Sequence, residues 1–302
     1  MKKLAFLFVG LCLPLIAEDQ PKPPPKPLPQ APAGIKFERD VVYGKTGDVE
    51  LKLNLARPET PDGPRPCVVF IHGGGWAAGD RTQHDKQTWD FVQRGYVSAT
   101  IGYRFAPKYV FPAQVEDVKC AVRFLRAHAE EYGIDPTRFG AVGFSAGGHL
   151  SLMLGVMDKG DGLEGDGGWP DQSSKVQAVV NFFGPTDFTM EYPPASRDIV
   201  KNFIGGTMTE KTDAYKAASP VTYINAGDAP ILSFQGTKDP LVPHNQVFRL
   251  TDAMTAAGIP SRAEFFVGAG HGAGFDWFHT TNEMNTFFDK LLKPKKPAAA
   301  AK

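Results

Sequence analysis

The stretch Arg138–Val156, RFGAVGFSAGGHLSLMLGV, is where the fold is decided. Its opening residues, Arg138–Gly143, read as a buried strand, and Ala146–Val156 reads as a helix. Between them stands Gly143-Phe144-Ser145-Ala146-Gly147. A serine in that pattern, between strand and helix, is expected on a tight turn that exposes its hydroxyl. The glycines suit such a turn, because a Cβ beside it would collide with the neighbouring strand or helix.

Upstream, His72-Gly73-Gly74-Gly75-Trp76 follows an apolar strand at Cys67–Ile71. Downstream, Asp239 follows a strand at Ile231–Gln235, and His271 follows one at Ala263–Val267. Serine, acid and histidine, in that order and each just past the carboxyl end of a strand, form the pattern of an α/β-hydrolase. Ser145 is the expected nucleophile, a hydroxyl that needs a positioned base to take its proton. His271 is the expected base, on a loop with Gly268, Gly270, Gly272 and Gly274. Asp239 would fix the imidazole tautomer and stabilise the imidazolium. Glu264 and Asp276 are rival acids, and His72, His244 and His279 are rival histidines. The backbone N–H groups of Gly74, Gly75 and Ala146 are suited to meet the charge that nucleophilic attack builds on a carbonyl oxygen.

Residues 36–292 alternate strands and helices, which predicts a mostly parallel sheet covered on both faces. Ligands in such sheets sit at the carboxyl ends of the strands. An antiparallel pair, Phe37–Tyr43 and Val49–Ala56, opens the domain. A helix near Gln83–Arg94 precedes a strand at Tyr96–Ile101. Pro112 starts a long helix whose apolar face is Val115, Val118, Val122, Leu125 and Ala129. A strand at Val176–Phe183 leads into short helical pieces at 186–223, expected to form a small cap insertion. A helix over His244–Ala257 and another near Trp277–Leu292 complete the pattern.

Met1-Lys2-Lys3, an apolar run to Ile16 and then Ala17 are expected to be a secretory signal peptide, residues 1–17, too short to span a membrane. A lipoprotein reading through Cys12 is disfavoured by Leu11, where a small residue is needed. Residues 18–35 are proline-rich and read as a semi-rigid spacer, and 293–302 as a disordered tail. The expected location is therefore secreted or periplasmic. Lys+Arg and Asp+Glu each total 33, so no global field favours nucleic acid. Cys67 and Cys120 read as small buried apolar residues rather than a disulfide framework. The acids of Asp158–Asp171 lack the spacing of a calcium loop, so no metal is expected there.

Taken together, HGGGW at 72–76, Tyr103-Arg104-Phe105-Ala106-Pro107, Phe111-Pro112-Ala113-Gln114 and the GFSAGG of 143–148 resemble the hormone-sensitive-lipase-like carboxylesterases. The similarity covers residues 37–292 and is strongest to secreted bacterial acetyl xylan and feruloyl esterases. It implies an α/β-hydrolase fold: a mostly parallel eight-stranded sheet, helices on both faces and a small cap. It also implies ester hydrolysis through an acyl-enzyme with no cofactor, on a small ester or acylated polysaccharide. The same residues, Ser145, Asp239, His271, Gly74, Gly75 and Ala146, carry the roles in both readings. Lys108-Tyr109 departs from the family, where an acidic residue often follows the proline. Trp76 is a candidate substrate contact lining the acyl pocket or, equally, a packing residue beside the core strand, and Arg104 a candidate brace of the glycine loop through backbone carbonyls. The competing expectations are a generic short-chain esterase, an exported peptidase-like hydrolase and a binding protein without catalysis.

Overall fold

The computed structural model describes residues 28–293. The signal peptide, most of the proline-rich spacer and nearly all of the tail lie outside the described residues. Eight strands form one sheet in the order β1-β2-β4-β3-β5-β6-β7-β8. They are β1 (Ile35–Thr46), β2 (Val49–Pro58), β3 (Arg65–Ile71), β4 (Val97–Ile101), β5 (Ile134–Phe144), β6 (Ala178–Phe182), β7 (Ile231–Gly236) and β8 (Ser261–Phe266). β2 runs antiparallel to both of its neighbours, and every other adjacent pair is parallel.

Side chains of a strand point alternately to opposite faces, and β3 divides accordingly. Cys67, Val69 and Ile71 join a core with helices α2 (Ala113–Ala127), α4 (Ala146–Val156) and α7 (Asn245–Ala256). Val68 and Phe70 join a second core with α1 (Asp85–Gln93) and α8 (Trp277–Leu292). Both faces of the central strands are therefore buried, which is why they read as continuous apolar runs.

Several boundaries differ from the sequence pattern. β1 runs to Thr46, with register shifts after Glu38 and Val42 that keep the edge strand paired beyond its expected end. The helix opened at Pro112 stops at Ala127, because His128 leaves the helical region at φ −101°, ψ 23°. Ala129 belongs instead to a one-turn helix, α3 (Ala129–Tyr132), closed by left-handed Gly133. Residues 186–223 hold α5 (Pro194–Ile204) and α6 (Thr212–Ala218). Gln246 on α7 fastens the start of that segment, accepting from the Thr186 and Asp187 N–H groups at 2.8 Å each and donating to the Asp187 carbonyl.

The acidic loop after α4 is spent on structure. Glu164 pairs with the buried Lys119 and Arg123 of α2, Asp158 pairs with Lys175, and the Asp161 side chain accepts from the Asp158 N–H. Among the described residues no cluster of three or more His, Cys, Asp or Glu is arranged to hold a metal. Cys67 and Cys120 are free and buried, and burial pushes the Cys120 thiol up to about 11. Among the described residues no helix is long and apolar enough to cross a membrane.

Candidate active site

β5 ends at Phe144, and Ser145 turns the chain into α4 with φ 54°, ψ −118°. Positive φ is costly for a residue with a Cβ, so its surroundings must impose it. The Ser145 N–H donates to the Phe182 carbonyl of β6 at 2.8 Å, which pins the elbow to the sheet. A Cβ on Gly143 would strike the Gly147 carbonyl, and one on Gly147 would strike that of Ile71. Strand, turn and helix can close this tightly only because both positions are glycine.

His271 arrives on the loop after β8. Its Nε2 lies 2.8 Å from the Ser145 Oγ, and its Nδ1 lies 2.7 Å from the Asp239 Oδ2. Asp239 follows β7 and is itself fully engaged: Oδ1 accepts from the Leu241 and Val242 N–H groups at 2.8 and 2.9 Å, and Oδ2 also accepts from the Gln235 amide at 3.2 Å. An acid held by four donors cannot rotate away from the imidazole. Phe183, itself at φ 44°, packs its ring 4.6 Å from that of His271 and limits the imidazole on the other side. The rival acids are engaged elsewhere. Glu264 meets His279 at 2.7 Å, and Asp276 caps α8 through the His279 N–H. His244 packs against Phe248.

Gly74 (φ 116°) and Gly75 (φ 58°) adopt conformations that favour glycine, and the Gly74 carbonyl accepts from the N–H groups of Ala77 and Ala78. Among the described residues neither Gly74 nor Gly75 donates its own N–H to a protein acceptor. Ala146 is the first residue of α4, where helical N–H groups have no partner within the helix. All three flank Ser145. Sequence reasoning missed the brace behind this loop: the Tyr103 hydroxyl donates to the His72 carbonyl at 3.0 Å, and its ring stacks on His72. Burial holds the His72 pKa below its ordinary value, so the ring is a neutral packing element. The YRFAP motif at 103–107 carries the only sequence signal for that brace.

Arg104 does not brace the glycine loop. Its guanidinium binds Asp117 at 2.9 Å and the Ala113 carbonyl at 3.3 Å, which ties it to α2. Trp76 does not reach the cleft either: it is 2% exposed, stacked 4.1 Å from Phe203, with its indole N–H on the His149 Nδ1 at 3.2 Å. An indole this large beside a core strand buries more apolar surface in packing than it could offer a substrate.

Ser145 and His271 open into a cleft of about 740 Å³, with Gly73–Gly75 on one wall and Phe183, Ile199 and Leu241 on another. Ile199 and Asn202 bring α5 to its rim. His84 and Phe144 close a third side, their rings stacked 4.5 Å apart. His84 was not singled out from sequence. Burial lowers its pKa to about 4, and its Nδ1 is buried with no partner.

An eight-stranded, mostly parallel sheet with a serine at the β5–α4 elbow defines an α/β-hydrolase. Within that class the chain belongs to the BD-FAE family, whose model matches residues 53–254. It is 32% identical over 225 residues to the probable carboxylic ester hydrolase LipM of Mycobacterium tuberculosis, covering 71% of this chain and 51% of LipM. The chain thus spans about half the length of that curated relative. A carbohydrate esterase from gut microbiota, solved in truncated form, superposes with a TM-score of 0.77 at 27% identity, covering 84% of this chain and 95% of the other. The thermophilic esterase Est2 of Thermogutta terrifontis superposes at 0.71 with 29% identity, covering 87% and 95%.

Proposed function

We propose that this protein is an exported serine carboxylesterase that removes short acyl groups, acetyl or feruloyl, from plant polysaccharides such as xylan. The observation that carries the catalytic part is the continuous chain Ser145–His271–Asp239 opening onto a cleft beside three N–H groups. In this reading the Ser145 Oγ attacks the ester carbonyl carbon while His271 Nε2 takes the hydroxyl proton. The oxyanion lies against the N–H groups of Gly74, Gly75 and Ala146, each worth about 3 kcal/mol in the transition state. Collapse breaks the bond to the alcohol, which leaves with the proton held on Nε2, and the acyl group stays on Ser145. Water then attacks the acyl-enzyme, its proton passing to the same Nε2, and Ser145 departs carrying that proton as the acid is released. Asp239 holds the Nδ1–H throughout. The roles call on no cofactor.

The apolar wall of Ile199, Leu241 and Phe183 supports a small acyl group, and α5 at the rim supports reading 186–223 as a small cap. The resemblance to a carbohydrate esterase supports an acylated glycan, and the Met1–Ala17 segment supports export to meet it. A generic short-chain esterase is the second reading. Structures of the Thermogutta esterase with propionate and with butyrate bound favour it.

The deciding experiment measures acid release from acetylated and feruloylated xylan by the protein and by Ser145→Ala. Release confined to the active protein is expected and names the acyl group. Cleavage of aryl esters without release from xylan would leave the generic reading.

A further inference from the structure

A second cavity of about 570 Å³ lies beside the first and shares His84 and Phe144 with it. It runs between α1 and α8, from His84 to Arg94, a span of about 15 Å at the helical rise. Its floor is Phe70, Phe91, Phe182 and Met284, all buried. Its rim is polar, with Gln87 and Asp90 on α1 facing Thr281 and Asn285 on α8. Among the described residues the Gln87 and Asn285 side-chain amides bond to no protein atom. Trp277 lines the second cavity, 44% exposed, 6.4 Å from the shared Phe144, and steadied by its stack on Phe182.

We propose that this groove holds the carbohydrate side of the ester: two or three sugar units of a xylan-type chain lie between α1 and α8, leading the acylated unit past His84 to Ser145. The assignment rests on the glycan-esterase reading above. Sugars present C–H faces and a hydroxyl rim. The groove answers with the exposed indole of Trp277 for the faces, and with uncommitted amides for the hydroxyls. A fully apolar slot would suit an aromatic acyl group instead, but this rim is polar on both helices.

The test compares acetylated xylo-oligosaccharides of two to six units with 4-nitrophenyl acetate, using the full chain and the variants Trp277→Ala, Gln87→Leu and Asn285→Leu. The last two change rim side chains that hold no protein partner, so they separate binding from folding. Binding of unacetylated xylotetraose to Ser145→Ala, followed by tryptophan fluorescence, supplies a readout free of turnover. Expected are a wild-type kcat/KM that rises with chain length to three or four units, and a ratio of oligosaccharide to aryl-ester kcat/KM that drops about tenfold in each variant. Xylotetraose binding should weaken by a similar factor. Variants matching wild type on the long substrates, or a loss shared equally by the aryl ester, overturn the groove assignment. Aryl-ester turnover with no oligosaccharide cleavage and no xylotetraose binding overturns both the groove and the glycan reading. No turnover of any ester, with xylotetraose still bound and the rim variants weakening it, keeps the groove and removes the esterase.

Discussion

Two sides of one cleft are built on opposite principles. Around Asp239 every carboxylate oxygen is satisfied, by two backbone N–H groups, an amide and the imidazole. Across the cleft, His84 holds its place by stacking alone, and its Nδ1 faces no partner. Saturated polar groups fix a geometry, because breaking any one bond strands a buried donor or acceptor. An unfilled one adds no such constraint. The difference separates a side held by hydrogen bonds from a side held by packing.

The hardest test of the saturated side is Asp239→Asn. Asparagine keeps an oxygen for Leu241 and Val242 but turns an NH₂ toward Nδ1, which forces the wrong tautomer. Turnover should fall by about 10⁴, far more than stability, which gives up the Gln235 bond to the lost oxygen and about 2 kcal/mol with it. Activity within tenfold of wild type would assign the acid role elsewhere.

Acid should expose the next-largest contribution. His149 is fully buried, and burial holds its pKa at about 4 against the ordinary 6.5. The unfolded chain therefore takes up a proton near pH 6.5 that the folded protein refuses until about pH 4. Stability is full above 6.5, declines as pH falls through that window and loses about 3 kcal/mol by its lower end. His84 shifts the same way and adds to the loss. Urea unfolding at pH 7, 5.5 and 4 measures it; a flat profile would mean that His149 is charged or accessible.

Trp76→Phe probes packing against substrate contact. It strands the His149 Nδ1 and should cost about 2 kcal/mol of stability, with KM unaltered; a raised KM at unchanged stability would return Trp76 to the cleft. The smallest effect belongs to the open side. His84→Phe keeps the stack on Phe144 and removes an unsatisfied nitrogen, so stability should stay within about 1 kcal/mol of wild type. A loss beyond 2 kcal/mol would reveal a hidden partner and erase the contrast.

The sheet was legible because its strands carry uninterrupted apolar runs and its turns carry glycine at the points of closest approach. Ser145, Asp239 and His271 stood out because each follows such a run directly. The missed features depend on contacts between distant segments. The YRFAP motif flags Tyr103 without saying that it supports the His72 carbonyl, and nothing local marks Gln235 as a brace for Asp239. Trp76 misled because an aromatic beside a glycine loop looks the same whether it points to solvent or core. Arg104 misled because its partner, Asp117, lies a helical turn inside another element. His84 gave no signal, since a lone histidine before a helix is ordinary until its neighbours are placed.

One feature of the sheet sets how the molecule fails on warming. β8 is one of the two edge strands, paired among the described residues to β7 alone, and His271 hangs from the loop just beyond it. Ser145 instead leaves β5, with strands on both sides. Edges open before centres, since local stability follows the number of neighbours a segment has. On warming, the strand that carries the His271 loop is therefore expected to loosen before the strand that carries Ser145, so esterase activity should fade at a lower temperature than the one at which the sheet melts.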